Sequence, residues 1–192
     1  MPPKNKLYGI DISHHNKYSL PKFSMFDFII MKATEGISFV DPCLKQYISM
    51  LKKDQLYGFY HFARPERNRA KEEAKNFINT IGIDGEDAML VLDWEGQALR
   101  QPIEWALEWL NEVEKAYGKK PLIYCQSSFT KKLKPIYDNN NGLWVAHYTD
   151  KEKPTVYTYP YYAMWQYTSK PYDCDVFNGT RKQFERYCTR RG

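Results

Sequence analysis

The strongest constraint on the fold of this chain is a series of short apolar runs that recur along most of its length. Each run has the length of one strand and ends on polar or aromatic residues. The runs are LYGID (7–11), FIIMK (28–32), LYGFYHF (56–62), AMLVLDWE (88–95), PLIYC (121–125), GLWVAHY (142–148) and YAMWQY (162–167). Continuous apolar character over this length is typical of strands that are buried on both faces.

Helical patterns separate several of these runs. Asp41 and Pro42 resemble an N-cap followed by a first-turn proline, and they begin one amphipathic pattern. A second such pattern covers residues 66–81, and a third begins near Pro102 and stops before Gly118. Strands that alternate with helices as far as residue 120 favour parallel βα units.

The second half of the chain has less room for helices. A short helix fits between Tyr124 and Leu143, but little or none fits between residues 147 and 164 or between 166 and 173. A regular eight-fold barrel usually needs about 250 residues. We therefore predict an α/β fold, an irregular and shortened TIM-like β/α barrel with helices missing in the C-terminal half. A doubly wound open sheet is the alternative, and the absence of a glycine-rich phosphate loop counts against it.

Size and composition indicate one domain of an ordinary soluble globular protein, with 43% hydrophobic and 27% charged residues. We expect a single catalytic barrel domain over residues 1–192, with residues 1–6 and 189–192 as loose termini, and a monomer. No run is long enough for a membrane span, and MPPKNKLYG lacks the pattern of a signal peptide. An exported protein would thus have its leader missing from this sequence.

The net charge of +5 favours an anionic partner without specifying one. Basic residues gather near residues 131–134 and 181–191, and we interpret them as a solvated surface and a basic tail. No nucleic-acid-binding motif is present, so nucleic acid is not an expected partner. The four cysteines are scattered without a C-x-x-C pair, which favours buried thiols and leaves a disulfide open.

The run at residues 88–95 ends on two acids, Asp93 and Glu95, with Trp94 between them. Side chains alternate along a strand, so the two carboxyl groups share one face, with Cβ atoms roughly 6.5 to 7 Å apart. Trp94 should point the other way, into the packing. Two neighbouring carboxyl groups repel, and the less solvated one should have a raised pKa, as glycoside hydrolysis requires.

Other acids and many rings stand at the ends of the remaining strands. The first run ends on Asp11, and the last leads into Asp173 and Asp175. In a closed barrel the first and last strands are neighbours, so these acids should gather with Asp93 and Glu95 at the rim where active sites form. The polar and aromatic residues expected there are Tyr60, His61, Tyr124, Trp144, Tyr148, Trp165 and Gln166. An acidic centre ringed by aromatic side chains describes a saccharide groove.

Two other groups of residues carry weaker signals. His14 and His15 beside Asp11 lack the spacing of metal ligands, so we expect a surface loop and no metal. Lys32 at the end of FIIMK is expected to pair with a nearby carboxylate at the binding groove rather than to act as a nucleophile.

The ordered set of motifs resembles glycoside hydrolase family 25, the Chalaropsis-type lysozymes or N-acetylmuramidases. The resemblance covers nearly the whole chain, through YGIDISHHN, FIIMKATEG, YGFYHFARP, LVLDWEG, PLIYC, LWVAHY, MWQYTS and DCDVFNG. It implies an irregular barrel that needs no cofactor and cleaves the β-1,4 bond between N-acetylmuramic acid and N-acetylglucosamine in peptidoglycan. Such an enzyme would act outside the cell or at the cell envelope.

By position, the resemblance implies that Glu95 is the general acid, Asp93 its partner, and Asp11 and Asp173 the other active-site carboxyl groups. The family commonly has Asp-x-Asn where this chain has Asp173, Cys174 and Asp175. Either aspartate could therefore face the sugar. The step after protonation is also open, because either a carboxylate or the N-acetyl group of the substrate could attack the anomeric carbon. We favour the substrate-assisted route.

Two alternative functions remain open at this stage. A chitinase-like hydrolase of family 18 also has a strand ending in D-x-E, although it usually has a further Asp where this chain has Val91. A cell-wall-binding module without catalytic activity would keep the groove, but it would more often lack Glu95 or Asp93.

Overall fold

The structure, a computed structural model, describes residues 6–190. Residues 1–5 and 191–192, which belong to the two expected loose termini, lie outside the described residues. The strands are β1 (Leu7–Ile12), β2 (Phe28–Glu35), β3 (Phe39–Val40), β4 (Leu56–Phe62), β5 (Met89–Asp93), β6 (Leu122–Gln126), β7 (Leu143–Ala146), β8 (Met164–Thr168) and β9 (Asp173–Phe177). The α-helices are α1 (Leu44–Met50), α2 (Ala70–Ile81), α3 (Ile103–Tyr117), α4 (Lys134–Asp138) and α5 (Arg181–Cys188).

The sheet closes on itself. Its strand order is β1-β9-β8-β7-β6-β5-β4-β2-β3, and an additional pairing of β1 with β2 closes the barrel and leaves β3 outside it. Within the barrel, the neighbouring pairs formed by β1, β2, β4, β5, β6, β7 and β8 are parallel, whereas β3 pairs antiparallel with β2. The predicted irregular α/β barrel is confirmed, with the first and last strands side by side.

The last strand departs from the parallel pattern. β9 runs antiparallel to both of its neighbours, β8 and β1. The link between Thr168 and Asp173 is too short for a crossover, which needs a dozen or more residues, so the chain can only return antiparallel. As a result, the first residue of β9 lies at the same end of the barrel as the last residues of the parallel strands.

The helices follow the sequence pattern with two differences. α3 lies where it is predicted, and a short helix, α4, is the one expected between residues 124 and 143. α1 begins only at Leu44, with Cys43 rather than Asp41 at its N-cap. α2 begins only at Ala70, because Glu73 accepts hydrogen bonds from the backbone N–H of Arg64 and from the amide of Asn68, which shapes the preceding segment as a turn. The region from residue 147 to 163 is without helix, as expected.

Helix α5 corrects the interpretation of the basic C-terminal run as a solvated tail. Thr180 and Gln183 form a capping box at its start. Phe184 and Cys188 are buried and pack against residues of the barrel interior such as Phe28. The basic side chains occupy the outer face of this helix. The segment is therefore an amphipathic helix with one buried face, although its composition is strongly basic.

Two apolar layers follow from the alternation of side chains along each strand. The inner layer fills the barrel with residues such as Ile30 and Val91, and the outer layer, with Ile29 and Leu90, packs beneath the helices. Gly9 faces inward, and the Phe28 ring occupies the space that a Cβ atom would need there. The four cysteines are free thiols, and among residues 6–190 no helix is both long and apolar enough to cross a bilayer.

Candidate active site

The inward side chains change from apolar to polar at the carboxyl ends of the parallel strands, and a cavity of about 340 Å³ opens there. Towards the other end of the barrel, the same inward positions hold the apolar inner layer. The lining residues are Asp11, Ser13, His15, Lys32, Tyr60, Phe62, Asp93, Glu95, Tyr124, Trp144, Tyr148, Gln166 and Asp173. Depressions that share Glu95 and Tyr124 on one side, and His15 and Lys32 on the other, extend this cavity into a groove.

Strand β5 delivers two acids to the cavity. Asp93 is its last residue, and Glu95 follows in an extended conformation, with φ −139° and ψ −177°. The alternation therefore continues past the strand end, and both carboxyl groups line the cavity. Trp94 points the other way, is fully buried and packs against Trp105 with ring centroids 5.7 Å apart.

Asp11 and Asp173 stand directly opposite each other, as register partners on β1 and β9. Both line the cavity, whereas Asp175, two residues further along β9, is fully buried beneath it. The structure thus distinguishes the two aspartates, because only Asp173 faces the open space. Acids at positions 11, 93, 95 and 173, remote in sequence, converge on one cavity.

This concentration of carboxyl groups shifts their proton affinities. Burial and the charge of Asp173 raise the pKa of Asp11, whereas hydrogen bonds from Gln166 and Asp175 lower it. Burial, followed by repulsion from Glu95 and Asp11, raises the pKa of Asp93 well above its ordinary range. Burial and repulsion from Asp173 also raise the pKa of Glu95. The acids of this cavity therefore hold protons to a higher pH than free carboxyl groups do.

A hydrogen-bonded chain of uncharged groups orients Asp11. The Gln166 amide donates to Asp11 Oδ2 at 2.7 Å, and Gln166 Oε1 accepts from the hydroxyls of Tyr124 and Tyr148 at 3.0 and 2.8 Å. The Tyr124 ring packs edge-on against Trp144, with centroids 4.7 Å apart. The aromatic wall and the acids are therefore parts of one rigid arrangement.

Lys32 forms the positive side of the cavity. Its ammonium donates to Glu35 Oε2 at 2.6 Å, and Arg64 Nε donates to the other oxygen of Glu35 at 2.8 Å. The expected pairing of Lys32 with a nearby carboxylate is present. The ammonium also lies 4.9 Å from the centre of the Phe62 ring, and its charge opposes the rise in the pKa of both Asp93 and Glu95.

Two of the residues expected in the groove lie outside it. His61 is fully buried on the outer side of β4, where it bonds Glu73 at 2.7 Å and stacks on Trp109. Trp165 is buried on the outer side of β8, and its indole N–H donates to the carbonyl of His147 at 2.8 Å. Each is the neighbour of an inward residue, Tyr60 or Gln166, so the alternation of a strand directs it away from the cavity.

Three lining residues were missed by sequence reasoning. Phe62 lies two positions after Tyr60, so the same alternation could have identified it. Ser13 and His15 belong to a short 3-10 turn after β1, which Ser13 and Asn16 close by a capping box. The expected surface loop is thus present, but it also covers one edge of the cavity. No three His, Cys, Asp or Glu side chains of residues 6–190 are arranged to hold a metal ion.

Comparison with known proteins assigns the family. The profile of "Glycosyl hydrolases family 25" matches residues 10–176. The lysozyme of Streptococcus phage Cp-1 is 29% identical over 92% of this chain, which spans 55% of that protein's length. A family GH25 lysozyme from Aspergillus fumigatus superposes with a TM-score of 0.81 at 25% identity, covering 96% of this chain and 100% of that one.

A further similar structure is that of the modular Cpl-1 endolysin complexed with a peptidoglycan analogue. It has a TM-score of 0.68 at 25% identity and covers 90% of this chain and 54% of that one. The profile match extends over most of the barrel and includes the parts of β1 and β9 that carry Asp11 and Asp173. The chain therefore belongs to glycosyl hydrolase family 25.

Proposed function

We propose that this glycoside hydrolase is a muramidase that cleaves the β-1,4 bond between N-acetylmuramic acid and N-acetylglucosamine in bacterial peptidoglycan. The observation that carries the proposal is the convergence of Asp11, Asp93, Glu95 and Asp173 on one cavity with aromatic walls. Related proteins support the substrate class, since one is named a lysozyme and another was solved with a peptidoglycan analogue. The protein would act at the cell envelope or outside the cell, where this polymer lies.

Glu95 is the proposed general acid. It is the more exposed member of the pair on β5, so the oxygen of a leaving sugar can reach it, whereas Asp93 is only 7% exposed. Its raised pKa keeps a proton available closer to neutral pH than an ordinary glutamate would. Proton transfer from Glu95 to the glycosidic oxygen would break the bond between that oxygen and the anomeric carbon.

Asp93 is the proposed partner of the substrate's own N-acetyl group. In this route the acetamido oxygen attacks the anomeric carbon as the leaving group departs, and the Asp93 carboxyl group accepts a hydrogen bond from the acetamido N–H. Water then opens the cyclic intermediate while Glu95 takes up a proton. Asp93 suits this role because Oδ1 is buried without a hydrogen-bond partner, so a polar group of the substrate can satisfy it.

The remaining cavity residues are proposed to bind the sugar chain. Asp11 and Asp173 would bond sugar hydroxyls or the reacting centre. The proposed binding residues are Lys32, Tyr60, Tyr124, Trp144, Tyr148 and Gln166. Because the groove continues past the cavity on both sides, a polymer can cross it. The groove lies within one chain, so we propose that a single domain acts as a monomer without a cofactor.

The decisive experiment compares Glu95→Gln with a matched control, Glu104→Gln, on α3. Glu104 is exposed and does not line the cavity, so its replacement removes the same charge without touching the site. We expect Glu95→Gln to lower turnover of purified peptidoglycan by roughly 10²- to 10⁴-fold while substrate binding persists, because the amide keeps the shape and lacks the proton. Glu104→Gln should match the wild type.

The bond cleaved is read from the products. Mass spectrometry of the digest should find new reducing ends on muramic acid. Reducing ends on glucosamine, or soluble fragments from chitin alone, would contradict the muramidase assignment. Undiminished turnover in Glu95→Gln would remove that residue as the acid. Binding of peptidoglycan by the wild type without any cleavage would favour a cell-wall-binding module instead.

A further inference from the structure

Asp175 is an acid for which the proposed reaction has no use. It lies on β9 opposite Gly9 of β1 and Gln166 of β8, one layer below Asp173. Its side chain is fully buried, so it cannot meet a sugar in the cavity. A buried carboxyl group beneath an acidic site is costly when it is charged, and its presence therefore requires a physical explanation.

The hydrogen bonds of Asp175 account for one oxygen and leave the other without a partner. Oδ1 accepts from the indole N–H of Trp144 at 2.8 Å. Oδ2 is buried and has no donor within reach when the group is a carboxylate. The polar group that faces it is the carboxyl of Asp11. Two carboxylates cannot bond to each other, but a protonated Oδ2 can donate to Asp11.

We propose that Asp175 is a permanently protonated acid that donates a hydrogen bond to Asp11 and thereby acts as its positioning residue. With the proton on Oδ2, Oδ1 is the carbonyl oxygen that accepts from Trp144, and every polar atom of the group is satisfied. Asp11 then accepts from two uncharged donors, Gln166 and Asp175. The role in catalysis depends on the proposed function, whereas the location of the proton does not.

The surroundings explain why the proton stays on Asp175 rather than on Asp11. Asp11 opens onto the cavity and reaches solvent, whereas Asp175 does not. The titratable groups facing Asp175 are Asp11, Asp173, Tyr148 and Tyr167, and none of the ion pairs within residues 6–190 includes it. Burial, and then the charge of Asp11, raise the pKa of Asp175 well above its ordinary range.

Two substitutions separate positioning from simple packing. Asp175→Asn keeps the shape of the side chain and both hydrogen bonds, because the amide oxygen can accept from Trp144 and the NH₂ group can donate to Asp11. Asp175→Leu fills the space without donating. Side-chain carboxyl ¹³C NMR across a pH series should show Asp175 protonated through neutral pH, with its resonance assigned by its loss in Asp175→Asn. Loss of the donated bond should raise the pKa of Asp11 in Asp175→Leu but not in Asp175→Asn.

Activity gives the second measurement. We expect Asp175→Leu to lower kcat on peptidoglycan by about ten- to a hundredfold with KM little changed, as for a lost hydrogen bond to a charged group. Asp175→Asn should restore kcat to within about threefold of the wild type. Asp173→Asn, the same change on the same strand at the cavity surface, should not be tolerated in this way.

Distinct results would overturn the proposal. An ionised Asp175 at neutral pH in the wild type would do so, as would an Asp175→Asn variant as impaired as Asp175→Leu. If Asp175→Leu does not fold, the NMR titration of the wild type and the activity of Asp175→Asn still decide. If the wild type does not cleave peptidoglycan, the proposed function fails, and the titration still tests where the proton lies.

Discussion

Replacing His61 with alanine is expected to destabilise the fold by about 3 kcal/mol while leaving catalysis largely intact. The imidazole bridges β4 to α2, with Nε2 2.7 Å from Glu73 Oε2 and Nδ1 2.7 Å from the Thr34 hydroxyl. Burial lowers the pKa of His61 despite the bond to Glu73. The ring is thus neutral at neutral pH, with Nε2–H donating to the carboxylate and Nδ1 accepting from Thr34. The contact is a hydrogen bond rather than an ion pair.

The magnitude follows from what the substitution leaves behind. Glu73 has no exposed side-chain surface, and losing one donor to a buried charge costs about 1.5 to 3 kcal/mol. The unpaired Thr34 hydroxyl and the lost stacking on Trp109, at 5.3 Å between centroids, each add roughly 1 kcal/mol. Because Glu73 keeps its bonds to Arg64 and Asn68, the cost at Glu73 falls to about 1 kcal/mol and the total to about 3 kcal/mol. At about 2 to 4 °C per kcal/mol, the Tm should fall by roughly 6 to 12 °C.

The assay pairs thermal unfolding with kinetics and uses Tyr60→Phe as the matched control. Tyr60 is the neighbour of His61 on the same strand, but it faces the cavity. We expect Tyr60→Phe to change KM with little change in Tm, and His61→Ala to do the opposite at temperatures where it is folded. A His61→Ala variant with native Tm and a much higher KM would refute the placement of His61 behind the strand.

The pH dependence of unfolding provides an independent test of the same reasoning. Because the folded-state pKa of His61 is lowered, the unfolded chain binds more protons as the pH falls below about 6.5. His61 therefore lowers the free energy of unfolding as the pH falls below about 6.5. The loss should be smaller in His61→Ala, and an unchanged slope would mean that His61 is not held neutral.

Two further predictions concern buried charges. Asp93→Asn should abolish activity yet raise the free energy of unfolding at neutral pH by about 1 to 2 kcal/mol, because the raised pKa of Asp93 means that its ionised form destabilises the fold. This gain in stability should vanish towards pH ~4, where the unfolded chain also protonates the group. Equal or lower stability of the variant in denaturant unfolding would contradict this prediction. Lys119→Met should lower the free energy of unfolding by about 3 kcal/mol, because the buried ammonium donates to the carbonyls of Gly85, Glu86 and Cys188 at 2.6 to 2.7 Å; a native Tm with native activity would show that these bonds are dispensable.

The barrel and most of the candidate site could be predicted because they depend on local patterns. Apolar runs of strand length, each followed by a polar end, predict strands and the edge at which their carboxyl ends meet. The i, i+2 spacing of Asp93 and Glu95 predicts that both face one side, and the structure has them so. Local patterns failed for His61 and Trp165, because polar and aromatic side chains suit either side of a strand and the sequence did not show which side each one occupies.

The sequence by itself determined the alternation of strands and helices, and the placement of acids at strand ends, since both depend on near neighbours in the chain. Tertiary structure alone decided that α5 packs into the barrel and that Asp173 meets the cavity while Asp175 lies beneath it. Which side of a strand faces water, and whether a buried carboxyl group keeps its proton, depend on residues brought close by closure of the barrel. Such contacts leave no mark in local sequence.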